Sequence, residues 1–258
     1  MHITQIRNAT QYITFAGTRF LIDPMLAEQG AYPGFAGSAR AHLRNPLVAL
    51  PCGVEPLLDV DAVVVTHMHR DHWDEAAAAL IPKDMPLFVQ NTRDAAQLRE
   101  QGFTQLTVME GTVSFGDVTL TCTMGQHGTD EAYADVATAE RLGDACGVVF
   151  RHATEKTLCL LGDTVWTHTV AQTLKEAAPS VVVANMGWAH ILPYGPIIMG
   201  AEDAVRIHQV VPEAHIVATH MEAINHCLLS RKDLRRYARD NALTEWLSVP
   251  NDGDTLTF

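Results

Sequence analysis

No CxxC pair occurs in this 258-residue chain, and its five cysteines (Cys52, Cys122, Cys146, Cys159 and Cys227) are odd in number and widely spaced. That argues against a disulfide framework and against a thiolate zinc site, and leaves reduced, structural thiols as the expectation. Basic charge is also scarce: 18 Lys and Arg against 30 Asp and Glu leave a net charge of −12. Nucleic-acid phosphates need clustered cations, so no nucleic-acid partner is expected. The densest basic segment, SRKDLRRYARD at 230–240, reads as the solvated face of a helix. No apolar run approaches the roughly 18 residues that span a bilayer, so no membrane partner is expected either. The opening MHITQIRNATQYITFAG alternates polar and apolar residues where an export signal would place a basic stretch before an apolar one. It reads as a strand, and a cytoplasmic enzyme is the expectation.

What the chain does have is a run of hairpin-like strands followed by βαβα alternation. ITQIRN, QYITFAG and TRFLIDP open it, with Ala16-Gly17-Thr18 as a tight link and Pro24 ending the third strand. Residues 25–57 then form a long Gly- and Pro-rich loop carrying Tyr32, Phe35 and Leu47, a wall or lid of a site in preference to a loose linker. Strands follow at DAVVVTH, MPLFVQ, QLTVME, VSFGDVTLTCTMG, GVVFRH, TLCLLGD, SVVVANMG and IVATH. Helices are expected at DEAAAALIP, NTRDAAQLREQG, TVAQTLKEA, AEDAVRIHQVV and LSRKDLRRYARDN. There is no linker or repeat, so residues 1–258 read as one α/β domain with two sheets. Several strands run apolar and then place His or Asp immediately after, as α/β scaffolds do when strand-end loops build a site.

The densest case is VVVTHMHRDHWDEAAAAL, residues 63–80, in which His67, His69, Asp71 and His72 fall within six positions. On an extended segment His67 and His69 face the same side. Asp71 and His72 follow after the chain turns, and Asp74 is placed to cap the coming helix. Imidazole nitrogen with carboxylate oxygen suits Zn²⁺, Mn²⁺ or Fe²⁺, and no cysteine is present for a closed structural zinc. A His-rich surface turn is the alternative, and four ligand-type residues in so short a span weigh against it.

HMHRDH resembles the HxHxDH signature of the metallo-β-lactamase-fold metallohydrolases. Further ligands occur in that family's order: His127 in MGQHGT, Asp163 in LLGDT and His220 in ATHMEAINH. The resemblance implies a four-layer αββα sandwich. It also implies one metal held by His67, His69 and His127, and a second by Asp71, His72 and His220. Asp163 and a hydroxide would lie between the two ions, zinc being the first expectation and manganese or iron the others. Asp71 would orient the hydroxide and act as the catalytic residue. Asp163 alone reads equally as a helix cap before Thr164, and His226 competes with His220 for the last ligand position. Asp23 in IDP resembles the family's acid behind a ligand histidine. Trp188, His190 and Tyr194, in the loop at 185–200, are candidate pocket residues, and His226 is a substrate or supporting candidate.

Within the family the chain is most similar to the lactonase-like branch that includes ascorbate-6-phosphate lactonase. Hydrolysis of a small ester or lactone is therefore the first expectation. A phosphodiesterase on the same site, or a non-catalytic metal-binding protein of the same fold, are the alternatives. The di-iron oxidoreductases of this fold carry a carboxylate where His69 stands, which disfavours redox chemistry. A small-molecule substrate is the expected partner, and a homo-oligomer is left open.

Overall fold

The computed structural model describes residues 1–258. The first three strands, β1 (His2–Arg7), β2 (Thr10–Phe15) and β3 (Thr18–Ile22), form an antiparallel meander. Ala16 at φ 50° and Gly17 at φ 84° make the tight turn between β2 and β3, because positive φ at both positions matches the twist of the flanking strands. The chain then crosses over, and β3, β4 (Ala62–Val65), β5 (Leu87–Val89) and β6 (Leu106–Val108) pair in parallel. Helices α1 (Glu75–Leu80) and α2 (Thr92–Glu100) make the last two crossovers, capped by Asp74 and Asn91.

The second sheet begins with the antiparallel strands β7 (Thr112–Phe115), β8 (Val118–Met124), β9 (Cys146–Arg151) and β10 (Leu158–Leu160). It continues in parallel through β11 (Val181–Asn185), β14 (His215–Thr219) and β15 (Leu247–Ser248). Between β8 and β9 lie the short helices α3 (Asp130–Ala134) and α4 (Val136–Leu142). The parallel part is connected by α5 (His168–Ala177), α6 (Ala201–Val210) and α7 (Arg231–Asp240). A ribbon of β12 (His190–Ile191) and β13 (Gly195–Pro196) stands apart from both sheets. The last strand, β16 (Thr255–Thr257), returns to pair with β1, so each large sheet has seven strands.

Period-two alternation distributes the apolar residues into three layers. Ile13, Phe15, Phe20, Val64 and Phe88 of one sheet meet Leu120, Val148, Phe150, Leu160 and Val183 of the other. The neighbouring positions, Leu21, Val63, Val65 and Val89, point outward onto Ala77, Ile81, Ala95 and Leu98 of the α1–α2 side. On the far side Cys159, Val182, Ile216 and Ala218 meet Val170, Leu174, Ile207 and Leu234 of α5, α6 and α7. Covered on both faces, β4 and β11 must be apolar throughout, which is why AVVV and VVVA show no alternation. The result is the four-layer αββα sandwich expected from the sequence.

Three local features differ from that expectation. The stretch VSFGDVTLTCTMG is a hairpin, not one strand, because the chain reverses at Gly116 (φ 57°) and Phe115 pairs with Val118. Helices α3 and α4, with five and seven residues, are too short for a helical period to register. The edge strands β15 and β16 are two and three residues long and left no pattern either. No helix is long and apolar enough to cross a membrane.

Candidate metal centre

Six strand ends deliver the site. Asp23 follows β3, His67 to His72 follow β4, His127 follows β8, Asp163 follows β10, Asn185 closes β11 and His220 follows β14. After His69 the chain turns sharply, with the backbone N–H groups of His72 and Trp73 both donating to His69 O at 2.9 and 2.8 Å. Asp74 then caps α1 through Ala77 N at 2.7 Å and accepts from Ala27 N at 2.8 Å, fixing the turn to the long loop. His67, Asp71, His72, His127, Asp163 and His220 are all buried, and His69 is half-buried at the mouth of the cavity.

The partners of these rings set their tautomers. His69 Nε2–H donates to Arg141 O at 3.0 Å, and His127 Nδ1–H donates to Ile197 O at 2.9 Å. Thr66 Oγ1 donates to Asp23 Oδ2 at 2.7 Å, so it accepts from His67 Nδ1–H at 3.2 Å. The remaining nitrogens, His67 Nε2, His69 Nδ1 and His127 Nε2, therefore present lone pairs to one another. The first two are 3.0 Å apart and the last two 3.2 Å. Lone pairs at that distance repel unless a cation lies among them. A tetrahedral ion with bonds of about 2.0–2.1 Å spaces its ligands by about 3.3 Å, which matches.

A second group repeats the arrangement. His72 Nδ1–H donates to Asp23 Oδ2 at 2.8 Å, leaving His72 Nε2 facing His220 Nε2 at 3.1 Å. Asp71 Oδ2 is 3.2 Å from that His220 nitrogen. Asp163 Oδ2 stands between the two groups, 3.2 Å from His72 Nε2, 3.5 Å from His127 Nε2, 3.6 Å from His220 Nε2 and 3.9 Å from His67 Nε2. Its other oxygen accepts from Asn185 Nδ2 at 2.6 Å. Helix α5 starts at His168 and is capped by Thr167, so Asp163 caps nothing. The donor set fits metal ions: His67, His69 and His127 converge, as do Asp71, His72 and His220, and His67, His72 and Asp163 connect them.

The electrostatics point the same way. Burial disfavours charge on His72, yet Asp163 and Asp23 override it and push its pKa up to about 10. Burial likewise opposes ionisation of Asp71 and Asp163, and His72 and His220 nonetheless hold both carboxyls well below the usual range. His127, with less compensation for its burial, is lowered to about 4. A buried cluster this rich in carboxylate demands positive charge, which metal ions would supply in place of protons.

The profile of the β-lactamase superfamily domain matches residues 18–221. The chain belongs to the metallo-β-lactamase superfamily. Within it, the chain belongs to the UPF0173 family, some members of which are named metal-dependent hydrolases. It is 42% identical over the full length of both chains to the UPF0173 protein YddR of Bacillus subtilis. The isothiocyanate hydrolase from Delia radicum gut bacteria is 52% identical, with a TM-score of 0.98 over 100% of this chain and 99% of that one. A possible metal-dependent hydrolase from Veillonella parvula is 45% identical, again with a TM-score of 0.98 over 100% and 99% of the two chains.

The candidate metal centre faces a cavity of about 230 Å³ lined by Phe35, Ala36, Leu142, Ile191 and Ile197 together with His69, Asp71, His127, Asp163, Arg141 and His226. Phe35 and Ala36 come from the 25–57 loop. The expected residues of the 185–200 loop are placed differently from one another. Trp188, 43% exposed, lines a separate groove of about 910 Å³ beside α5 and α6 that contains none of the ligand set. His190 packs edge-on to Trp188 at 4.4 Å. Tyr194 packs behind the cavity wall, against the cluster that includes Ile191 and Ile197. Ile191 and Ile197, which line the cavity from the same loop, carried no sequence signal beyond their apolarity.

Asn8 was also not legible. Its Nδ2 donates to Asp71 O at 3.0 Å, and its carbonyl accepts from His220 N at 3.0 Å. It therefore ties the two halves of the centre together. Only its position in the turn between β1 and β2, with φ 55°, hints at a special role.

Proposed function

We propose that this chain is a binuclear metal-dependent hydrolase of small, neutral electrophiles, with isothiocyanates as the first substrate class and small esters or lactones as the second. The observation that carries the reading is the cavity: about 230 Å³, lined by apolar side chains as well as by members of the ligand set. That volume is below the usual range for drug-sized ligands and suits a compact substrate. The high similarity to an isothiocyanate hydrolase supports the first class. The sequence resemblance to the lactonase-like branch supports the second. A phosphodiester is less well served, because Arg141 is the one Lys or Arg lining the cavity and it is exposed.

His67, His69 and His127 would hold one ion, Asp71, His72 and His220 the other, with Asp163 shared. Divalent ions there, zinc foremost and manganese or iron otherwise, would bring the pKa of water towards neutrality and polarise the electrophilic group. Asp71, kept ionised by His72 and His220 despite its burial, orients the attacking water and accepts its hydrogen bond. Phe35, Leu142, Ile191 and Ile197 pack the substrate's apolar part and exclude bulk water. For an isothiocyanate, water oxygen adds to the central carbon while nitrogen takes up a proton. The thiocarbamic acid so formed then splits at the C–N bond, and R–N=C=S with H₂O yields R–NH₂ and O=C=S. We place the protein in the cytoplasm, in line with its free cysteines.

The test is elemental analysis of protein purified without chelator, beside His69→Ala, combined with a substrate panel. About two transition-metal ions per chain, falling in the variant, with loss of phenethyl isothiocyanate and release of carbonyl sulfide, is the expected result. One ion per chain would remove the binuclear part. Turnover of lactones or esters alone would move the second class to first place, and failure to take up any metal would sink the proposal.

A further inference from the structure

His226 is the buried polar side chain of the cavity wall that the ligand set does not use, Arg141 being exposed. It is 6% exposed, and its Nδ1 is buried without a hydrogen-bond partner. Leaving such a nitrogen unpaired costs about 1–3 kcal/mol, and buried polar groups in folded proteins are nearly always satisfied. His190 Nε2 and His208 Nδ1 are unpaired as well, but neither residue lines this cavity. The His226 ring is held still. It stacks on Phe35 with centroids 5.0 Å apart and planes 28° from parallel, and its backbone carbonyl accepts from His190 N at 3.2 Å.

The partner ring is fixed in turn by the adjacent residue. Asn225 Oδ1 accepts from Phe35 N at 3.0 Å and from Asn45 Nδ2 at 2.8 Å. Its Nδ2 donates to Ser38 Oγ at 2.9 Å and to Ala39 O at 2.7 Å. The loop that carries Phe35 is thus fastened to the segment that carries His226, and the stacked pair is a preformed part of the wall. Burial lowers the His226 pKa to about 4, so at neutral pH the ring offers one N–H donor and one lone pair.

We propose that His226 is the substrate-recognition residue of this site, donating Nε2–H, the ring nitrogen that its neighbours do not enclose, to the substrate heteroatom that gains negative charge as water adds. In an isothiocyanate that atom is the nitrogen, and in an ester or lactone it is an oxygen. The proposal rests on the hydrolase reading above and deepens it: the site selects compact electrophiles with an acceptor atom adjoining the attacked carbon. An electrostatic donor of this kind contributes about 10²–10³ in rate where removal has been measured.

The experiment compares wild type, His226→Gln and His226→Leu for kcat, KM, metal content and Tm, with phenethyl isothiocyanate, a small lactone and a small ester. His226→Leu is expected to lose about 100-fold in kcat/KM, mostly in kcat, with full metal content. It is also expected to be at least as thermally stable as wild type, because leucine replaces an unpaired buried polar group. His226→Gln, whose amide can still donate, should recover at least tenfold of that loss. Unchanged kcat/KM in His226→Leu overturns the proposal while leaving the hydrolase reading intact. Loss of activity together with loss of metal overturns it too, since His226 would then be supporting the ligands. A fully metallated wild type inert towards all three substrates overturns the hydrolase reading, and this proposal falls with it.

Discussion

His220 holds a left-handed backbone, φ 58°, a conformation that costs an ordinary residue about 1–3 kcal/mol and survives where its neighbours leave no alternative. The neighbours are identifiable. His220 N donates to Asn8 O at 3.0 Å, and Cys227 Sγ lies 3.4 Å from His220 Nδ1. Gly187 closes the third side: a Cβ there would lie 2.0 Å from the His220 carbonyl oxygen and 2.8 Å from Cys227 Sγ. Glycine is needed at 187 for that close approach. Gly187→Ala should therefore push His220 out of line, destabilise the fold by about 1–3 kcal/mol through overpacking, and release metal from the Asp71–His72–His220 group first. Metal content by elemental analysis and urea denaturation check this, and a variant with full metal and unchanged stability would show that the contact is slack. The candidate ligands themselves stand out in the sequence because their signal is chemical and local: His67, His69, Asp71 and His72 crowd one turn. Gly187 and Asn8 were not, because a glycine or asparagine after a strand is ordinary until the third dimension brings His220 against it.

At the scale of elements, the 25–57 loop is a wall of the site because buried polar side chains from distant parts of the chain fasten it. Arg7, wholly buried, donates to Met25 O at 2.7 Å, Ala27 O at 2.8 Å and Val48 O at 3.1 Å. Asn45 and Asn225 bond reciprocally across a separation of 180 residues, with Asn225 N donating to Asn45 Oδ1 at 2.9 Å. The sequence disclosed a loop rich in Gly and Pro with apolar side chains, enough to suggest a wall. What holds it could not be read, since no local pattern links Asn45 to Asn225. Asn225→Ala deletes four side-chain hydrogen bonds and strands Phe35 N and Asn45 Nδ2, which should cost about 2–4 kcal/mol. Chemical denaturation gives the stability. Hydrogen exchange at the Phe35 amide shows whether the loop itself has loosened, and an unchanged exchange rate there would contradict the fastening.

The molecule as a whole places its two sheets on opposite sides of the candidate metal centre. Asp71 and His72 come from the end of β4 in the first sheet, while His127, Asp163 and His220 come from the second. Ions bound among them would join the sheets at the edge where strand-end loops, not interlocking apolar side chains, face each other. Away from that edge the three apolar layers are complete without metal: Phe15, Phe20 and Phe150 lock the sheets with ring centroids 5.7 and 5.3 Å apart. Two consequences follow for chelation. The metal-free protein should keep its secondary structure, because the layers that build the sheets and helices do not pass through the site. Its Tm should nevertheless fall, because ions that bind only the folded chain stabilise it by about 4 kcal/mol at a thousandfold excess over Kd, some 8–16 °C for a domain of this size. Circular dichroism at 25 °C and thermal melts before chelator, after it and after adding zinc back read both effects. A Tm indifferent to metal would mean that no ion binds the folded chain in preference to the unfolded one, and that the convergence of five imidazole lone pairs is balanced by protons alone.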